Sequence, residues 1–394
     1  MLAILRNEDT LVYAHNQQDC PSHDALEGSD HNMIEQVNIH NFRCFQQIEV
    51  LDLKPINLIV GKNSSGKSAF QEAIFISSSS YAANTALQLR SIRKMGNQII
   101  NPVDTQAYQG LWEDLFYGFD QDKKISISIG GNPNADSRTL KIEYAAPVYA
   151  QELTFGKQSG QSVVNLQQTT SIPQIEFKWK RRGHQEIISR PKLSNTGLQI
   201  ESTGASFFNA IWYTPNGGET PDENARRFSV LDKRGDGTTD LVLSAIMKEF
   251  PFIKGLSVQY HAGIPMMFAT LENQDRKMPV PLLSDGINRL LGICLSLAYY
   301  EGGTVLIDQF EDGFHYSILP SIWKSVYSLA IRFRVQLFIS THSRECIEAL
   351  RPTIDGNEAS FCLLRASRNE KKCEIKSFSG NYLETALEQD FEVR

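Results

Sequence analysis

The alternation of apolar and polar residues divides the chain into regions of different texture. Residues 33–39 and 48–53 alternate with period two and predict a pair of strands. The continuous apolar segment 56–60 predicts a short buried strand, and helical spacing of apolar residues predicts a helix after the glycine-rich loop that follows. We interpret residues 33–100 as the first part of an α/β lobe and residues 1–32 as an N-terminal extension.

Residues 101–280 have a β-rich pattern with two helical interruptions. Period-two alternation between turn residues predicts several strands, and helical spacing predicts the two helices. The strands are placed at 125–129, 140–144, 175–179 and 258–261, and the helices at 223–233 and 239–250. No heptad pattern is sustained, so no coiled coil is predicted. We interpret this region as an insertion.

Residues 281–394 alternate between helical and strand patterns. Helices are predicted at 287–300, 318–333 and 344–350, and strands at 304–307 and 335–339. A hairpin, 361–364 with 374–378, and a short helix are predicted at the end. Strands alternating with helices predict a parallel sheet with crossover helices. The predicted fold class is therefore α/β, with one lobe split around the β-rich insertion.

The loop at 61–68 reads G-K-N-S-S-G-K-S and fits the phosphate-binding pattern G-x-x-x-x-G-K-[ST]. Its glycines let successive backbone N–H groups face phosphate oxygens, and the helix N-terminus adds positive potential. Lys67 is expected to reach the β- and γ-phosphates, and the Ser68 hydroxyl to ligate Mg²⁺. The predicted ATP-binding residues are Gly61, Lys62, Asn63, Ser64, Ser65, Gly66, Lys67 and Ser68.

The apolar strand 304–307 ends in Asp308, and Gln309 follows. The carboxyl end of a parallel strand faces the ligand crevice, so Asp308 is predicted to hold Mg²⁺ directly or through water. At the next position ATPases of this type usually carry a glutamate that polarises the attacking water. An amide cannot accept the proton of that water, and loss of a general base costs about 10²–10⁴ in rate. We therefore predict that the chain binds ATP and hydrolyses it slowly.

Two explanations of Gln309 stay open. It is either an engineered Glu→Gln change that traps the ATP state, or the residue of a naturally slow ATPase. We favour the first, because every other catalytic part is present. Glu311 and Asp312 are nearby carboxylates, but their displacement by two or more residues is expected to keep them off the attacking water.

Residues 283–290 read L-S-D-G-I-N-R-L and resemble the LSGGQ-like signature of ABC ATPases. In that family Ser284, Asp285 and the backbone of Gly286 would contact a γ-phosphate held by the partner subunit, which implies a head-to-tail nucleotide-sandwich dimer. The alternative is a simple helix N-cap without a ligand. After the strand 335–339, His342 stands where a switch histidine of that family contacts the γ-phosphate.

Two further nucleotide contacts are less well defined. Arg43 or Phe45, in the turn between the first two strands, is a candidate for packing on adenine through cation–π or stacking contacts. Gln106 and Gln109 are candidates for the glutamine of a Q-loop, and the sequence does not choose between them.

Together these segments resemble the ABC-type ATPases of the RecF/SMC/OLD (overcoming lysogenisation defect) group, from about residue 33 onward. Residues 307–317, I-D-Q-F-E-D-G-F-H-Y-S, are similar to the IDEIEDGLHYS segment of short bacterial OLD-like AAA ATPases, apart from Gln309. The chain departs from the group in lacking the long coiled coils of SMC proteins. After His342 only about 50 residues follow, fewer than the Toprim domain of OLD nucleases needs.

The resemblance implies a cytoplasmic sensor ATPase of bacterial antiphage defence. Such an ATPase, as in PARIS-type systems, forms a homodimer or larger oligomer and controls a separately encoded effector, here suspected to be a Toprim-like nuclease. One alternative is a RecF-like DNA-repair ATPase that acts directly on DNA. Another is a scaffold in which ATP locks an oligomer, which Gln309 would favour if it is natural.

Charge bears on the choice of partner. The chain has 39 Lys+Arg, 45 Asp+Glu and a net charge of −6, which argues against a uniformly basic surface and favours a protein partner. A basic cluster with Trp179 interleaved lies on a predicted hairpin and is either a DNA contact or a solvated hairpin tip. Its members are Lys178, Lys180, Arg181, Arg182, Arg190 and Lys192, and a smaller cluster contains Arg90, Arg93 and Lys94.

Neither a membrane segment nor a disulfide framework is expected. The longest apolar segment, 290–300, is shorter than the roughly 20 residues of a spanning helix. Residues 1–32 lack the apolar region of a secretory signal. The 6 cysteines show no C-x-x-C spacing, so we interpret them as reduced thiols of a cytosolic protein.

Overall fold

The computed structural model describes residues 33–95, 105–131, 137–158, 161–194, 197–204, 207, 209–215, 220–370 and 372–380. The strands are β1 (Gln36–Phe42), β2 (Phe45–Val50), β3 (Ile56–Val60), β4 (Ile125–Gly130), β5 (Arg138–Gln158), β6 (Gln161–Arg181), β7 (Ile187–Ser194), β8 (Gly197–Ser202), β9 (Ala210–Tyr213), β10 (Ile253–His261), β11 (Ile264–Leu271), β12 (Met278–Pro279), β13 (Thr304–Ile307), β14 (Gln336–Ser340), β15 (Phe361–Arg368) and β16 (Cys373–Ser379). The α-helices are α1 (Lys67–Ser77), α2 (Ala82–Ile92), α3 (Thr105–Gly110), α4 (Pro221–Asp232), α5 (Thr238–Glu249), α6 (Asp285–Tyr299), α7 (Leu319–Arg332) and α8 (Arg344–Ile354).

A six-stranded sheet in the order β16-β15-β3-β14-β13-β9 carries the phosphate loop. Its strands are parallel except for β16, which pairs antiparallel with β15 at one edge. Strands β3, β13 and β14 are buried along their whole lengths. A parallel sheet is covered on both faces, so its strands have continuous apolar sequences rather than alternating ones. The predicted α/β fold with a parallel sheet is confirmed.

Two hydrophobic cores form on opposite faces of this sheet. Successive side chains of a strand point to opposite faces, so neighbours in β3 and in β14 enter different cores. Leu58 and Leu337 belong to the core that includes α6, α7 and α8. Ile59 and Phe338 belong to the core that includes α1, α2 and the antiparallel strands. Helix α1 is therefore held between the parallel sheet and the antiparallel one.

The middle region contributes strands to both large sheets. A seven-stranded antiparallel sheet has the order β2-β1-β4-β5-β6-β7-β8, in which β4 pairs with β1 through contacts such as Ile39 with Ile127. Strand β9 pairs in parallel with β13 at the edge of the other sheet. The division at residues 100 and 280 stays a prediction, but strand pairing crosses both boundaries. Strand β9 has only four residues, too few for periodicity to reveal it.

Most predicted elements lie within a few residues of the observed ones, and the elements that were not predicted include helix α2 and strands β8, β9 and β11. Helix α1 ends at Ser77, the first residue of the buried serine run 77–80, where the hydroxyls of Ser77 and Ser78 donate to the carbonyl of Ile74. Helix α8 continues past its predicted end with Pro352 inside it. The predicted extension 1–32 and the closing helix lie outside the described residues.

No helix in the described part of the chain combines the length and apolar character needed to cross a membrane. The cysteines described there are free thiols. Burial raises the pKa of Cys294, Cys346 and Cys362 to about 12, as expected for thiols inside a core.

Candidate nucleotide-binding site

The phosphate loop connects β3 to α1 and depends on two glycines. Gly61 has a φ of 144° and Gly66 a φ of 101°, values that residues with a side chain rarely adopt. A Cβ on Gly61 would lie 2.1 Å from the carbonyl oxygen of Ala366, and one on Gly66 would lie 2.9 Å from the ring of Phe45. The loop can therefore take this path only with glycine at both positions.

Ser68 and Asp308 meet at the mouth of the loop. The Ser68 hydroxyl donates to a carboxylate oxygen of Asp308 at 2.9 Å, and the Ser340 hydroxyl donates to the other carboxylate oxygen. These residues come from α1 and from the carboxyl ends of β13 and β14. A hydroxyl and a carboxylate this close together supply the oxygen ligands that Mg²⁺ prefers, so the residues present fit the predicted metal.

Lys67 extends back across the loop. Its ammonium donates to the backbone carbonyls of Gly61 at 2.7 Å and Lys62 at 3.0 Å. It forms no ion pair in the described residues. Burial lowers the pKa of Lys67, while the carboxylates of Asp308 and Glu311 act against that shift. The lysine is thus held beside the loop with its charge available to a phosphate.

Gln309 occupies a constrained position after β13. Its φ of 52° is uncommon for a residue with a side chain. The backbone N–H donates to Ser340 Oγ at 3.0 Å, and Arg289 Nη2 donates to the carbonyls of Asp308 at 3.0 Å and Gln309 at 2.8 Å. Its side-chain amide makes no hydrogen bond to the rest of the described chain. These contacts fix the backbone of Gln309 and leave its side-chain amide available to bind a water molecule.

His342 and Glu311 form a pair beside Lys67. Glu311 Oε1 lies 3.2 Å from His342 Nδ1 and accepts the backbone N–H of His342 at 3.2 Å. His342 is exposed, whereas the Glu311 side chain is only 15% exposed. We expected Glu311 to be kept off the attacking water, and the structure places it against His342, the residue predicted to contact the γ-phosphate. Pairing between residues 31 positions apart leaves no sequence signal.

The signature segment begins α6. Ser284 is the N-cap, with its hydroxyl accepting the N–H of Ile287 at 3.2 Å, as the N-cap alternative expects. Ser284 and Asp285 are exposed, but Gly286 is buried. A Cβ on Gly286 would lie 2.6 Å from the carbonyl oxygen of Gly313, so glycine is needed for this close approach. Contact with a partner's γ-phosphate stays a prediction.

Arg43 is held by ion pairs beneath α1. Its guanidinium contacts Glu72 at 2.9 Å and Asp114 at 2.7 Å, and Arg93 contacts Glu72 as well. Burial acts to lower the pKa of Arg43, but the two carboxylates outweigh it and raise the pKa. Phe45 is fully buried against Gly66. These contacts give the predicted adenine role of either residue no support.

Half of the predicted basic cluster forms ion pairs with carboxylates. Lys178 contacts Glu143 and Glu176, and Arg190 contacts Glu176, with N–O distances of 2.6–2.9 Å. Lys192 pairs with Glu201, Arg181 lies over the ring of Phe207, and Trp179 is buried. In the smaller cluster, Arg90 pairs with Asp114 and Arg93 with Glu72. Contact with DNA stays a prediction, and this pairing weakens its basis.

Two buried residues of α1, Gln71 and Glu72, were not anticipated. Gln71 Nε2 donates to the carbonyls of Ile307 and Phe338, both at 2.9 Å, and so ties α1 to the ends of β13 and β14. The available signal was a pair of polar residues inside an apolar helix pattern. The Q-loop candidates Gln106 and Gln109 lie on α3, and no hydrogen bond joins them to the loop in the described residues.

Two family models and two relatives match parts or most of the chain. The family described as "AAA ATPase domain" matches residues 33–152, and the family described as "AAA domain, putative AbiEii toxin, Type IV TA system" matches residues 172–348. An "ATP/GTP phosphatase" of Helicobacter pylori is 22% identical over 391 residues, covering 91% of this chain and 99% of the relative. An uncharacterized protein of Methanocaldococcus jannaschii is 24% identical over 44% of this chain and 69% of its own length.

Solved structures show only a distant likeness. An SMC head bound to the C-terminal winged-helix domain of ScpA is 11% identical, covers 89% of this chain and 99% of its own, and has a TM-score of 0.49. The SMC head domain of Thermotoga maritima is 12% identical, covers 88% and 99%, and has a TM-score of 0.40. Likenesses at these scores do not bear on what this chain does.

The fold, the site and the matching families define the class. This chain has the fold of a P-loop ATPase of the AAA/ABC type, with mixed α/β sheets, and two families described as AAA ATPase or AAA domains match parts of it. The parallel sheet brings the phosphate loop, Asp308 and His342 to one edge, as the predicted placement at strand ends requires.

Proposed function

We propose that this chain binds ATP with Mg²⁺, dimerises around the nucleotide and acts as the regulatory ATPase of a bacterial antiphage defence system. The contact between Ser68 and Asp308 carries the nucleotide part, because it joins the phosphate loop to the strand-end carboxylate. Lys67 would neutralise the phosphates, and Mg²⁺ would be held by the two oxygen ligands. Bound Mg²⁺ would offset the charge of the β- and γ-phosphates.

Dimerisation is supported by the surface around the signature. Ser284 and Asp285 are exposed at the N-terminus of α6, where a partner's phosphate would be favoured by the helix dipole. Two large apolar residues flank this end of the fold: Leu282 is 73% exposed and Tyr316 is 67% exposed. Exposed apolar side chains beside a candidate ligand contact fit a surface that a second subunit covers.

Slow hydrolysis is the proposed property of this particular chain. Gln309 can hold a water through its amide but cannot take its proton. The ATP-bound dimer would then persist. A long-lived dimer fits an ATPase that holds an effector protein until hydrolysis or a trigger releases it. The similarity of residues 307–317 to OLD-like ATPases supports the defence role, as does a matching family whose description names a toxin–antitoxin system.

The nucleotide part is tested by equilibrium binding and light scattering of the full chain. We expect ATP with Mg²⁺ to bind and to convert monomers into dimers, and ADP to bind without dimerisation. Leu282→Ser should retain ATP binding and lose the dimer, and the matched change Leu241→Ser, at an exposed leucine of α5, should change neither. The proposal would be rejected if ATP failed to bind, or if dimers formed to the same extent with and without nucleotide.

The effector is tested by co-purification from the native operon with and without ATP. An adjacent nuclease that co-purifies in an ATP-dependent ratio supports control of a separate effector. ATP-dependent binding of DNA by the isolated chain, with no such protein, would instead favour the RecF-like alternative.

A further inference from the structure

Glu311 is placed in the site by a rigid turn. Phe310 donates its N–H to the carbonyl of Ser340 at 3.0 Å, and its ring stacks on Trp323 with centroids 4.0 Å apart. Phe314 then donates its N–H to the carbonyl of Glu311 at 3.1 Å, which closes the turn. The buried phenyl ring anchors the segment, so the carboxylate of Glu311 is directed by the core and not by solvent.

The two carboxylate oxygens of Glu311 have different surroundings. Oε1 faces the backbone N–H and the Nδ1 of His342, both at 3.2 Å. Oε2 is buried and has no hydrogen-bond partner in the described residues. A buried carboxylate oxygen without a partner is unfavourable for stability. Both contacts of the other oxygen, Oε1, are with the same residue, His342.

We propose that Glu311 is a positioning residue that orients His342 toward the γ-phosphate and lets the site distinguish ATP from ADP. This inference rests on the proposed function. A carboxylate only accepts hydrogen bonds, so a hydrogen bond along the 3.2 Å contact between Nδ1 and Oε1 requires a hydrogen on Nδ1. Nε2 then points away from Glu311. A ring that carries a hydrogen on both nitrogens would give the γ-phosphate a charge-assisted hydrogen bond from Nε2.

The consequence is confined to nucleotides with a γ-phosphate. ADP offers no acceptor at that position, so removal of the carboxylate should leave ADP affinity unchanged. Arginine or lysine contacts to the other phosphates would not show this difference. Because Glu311 acts through His342, loss of either residue should remove the same discrimination, and loss of both should cost no more than loss of one.

The test measures binding of ADP and of AMP-PNP, a non-hydrolysable ATP analogue, to the full chain with Mg²⁺. Glu311→Gln is expected to weaken AMP-PNP binding about tenfold and to leave ADP binding unchanged. Glu311→Asp keeps the charge and should restore part of the loss. The matched control is Glu345→Gln, an exposed carboxylate on α8 that accepts a hydrogen bond from Ser343 at 2.8 Å, and it should change neither affinity.

Unchanged or tighter AMP-PNP binding by Glu311→Gln would overturn the proposal, because repulsion between carboxylate and phosphate would then dominate. Equal weakening of both nucleotides would also overturn it, since that indicates a general loss of structure.

A second readout uses ¹⁵N signals of the histidine ring, assigned with His342→Gln. In the free protein we expect Nδ1 of His342 to be protonated, and Glu311→Gln to give a mixture of tautomers. Identical signals in both proteins would reject the pairing. This readout needs no nucleotide, so it separates failure of the inference from failure of the chain to bind ATP.

Discussion

Charged groups are arranged differently on the two large sheets. On the antiparallel sheet Lys178 lies between Glu143 and Glu176, and Arg190 contacts Glu176 as well. At the edge of the parallel sheet Lys67 is bonded to two backbone carbonyls and to no carboxylate in the described residues. Ion pairs at an exposed surface satisfy their own charges, whereas a cation held by carbonyls alone keeps its charge available to a ligand.

This comparison shows that basic residues clustered in the sequence need not form a binding site in the fold. Six basic residues in a short stretch are either a DNA contact or a solvated hairpin tip from the sequence alone, and in the structure three of them pair with carboxylates. Lys67, in the glycine-rich loop, is a single charge and stands out much less in the sequence. It nevertheless belongs to the better-defined binding site, because the fold brings Ser68 of α1 and the strand-end residues Asp308 and His342 to the same edge of the sheet.

The largest expected effect comes from restoring a base at the parallel-sheet edge. Gln309→Glu should raise the rate of ATP turnover by about 10²–10⁴, because a carboxylate at this position can accept a proton from water. Phosphate release measures it. The matched change Gln47→Glu, on the exposed face of β2, should leave the rate unchanged. Turnover that stays near zero in Gln309→Glu would show that this position does not limit hydrolysis.

The two lysines test the comparison directly. Lys67→Ala should weaken ATP binding by about 100-fold, because hydrogen bonds to the phosphates from a charged donor are lost. Lys178→Ala removes the same charge from the antiparallel sheet and should leave the affinity unchanged, because Lys178 already pairs with carboxylates. Fluorescent-nucleotide titration measures both. Similar losses in the two variants would mean that the paired surface also contacts the nucleotide.

The buried pairs beneath α1 should matter for stability more than those on the surface. Glu72 is fully buried and pairs with Arg43 and Arg93, so Glu72→Gln should lower the free energy of unfolding by about 3 kcal/mol. Urea unfolding measures it. The exposed pair of Lys192 with Glu201 gives the matched control, and Glu201→Gln should cost less than about 1 kcal/mol. Equal costs would contradict the distinction.

The smallest expected effect is on the affinity of the protein for DNA. Charge reversal of Arg181 and Arg182 together should leave the affinity for duplex DNA unchanged, because Lys178, Arg190 and Lys192 of the same cluster pair with carboxylates and Arg181 lies over Phe207. Titrations at two salt concentrations measure it. A large loss of affinity, with a reduced salt dependence, would show that this hairpin contacts the phosphate backbone after all.

Local sequence determined the parts of the fold whose signals are local. The apolar strand 56–60, the glycines at 61 and 66 and the strand ending at Asp308 each follow from periodicity or from backbone conformation over a few residues. The same holds for helices α5, α6 and α7, whose apolar stripes predicted them. Helix α2 was not predicted, and three of its four buried apolar residues are alanines.

Tertiary structure decided which of the candidates have a partner. Nothing in the sequence tells that Arg43 pairs with Glu72 and Asp114 instead of facing adenine, or that Glu311 faces His342. These contacts join residues 29 to 71 positions apart, and they form only when the sheet order places their strands and turns side by side. The sequence thus determined the loop chemistry, because backbone conformation is local. The tertiary fold decided which charged side chains pair, because pairing requires that the two groups lie close together in space and not in the sequence.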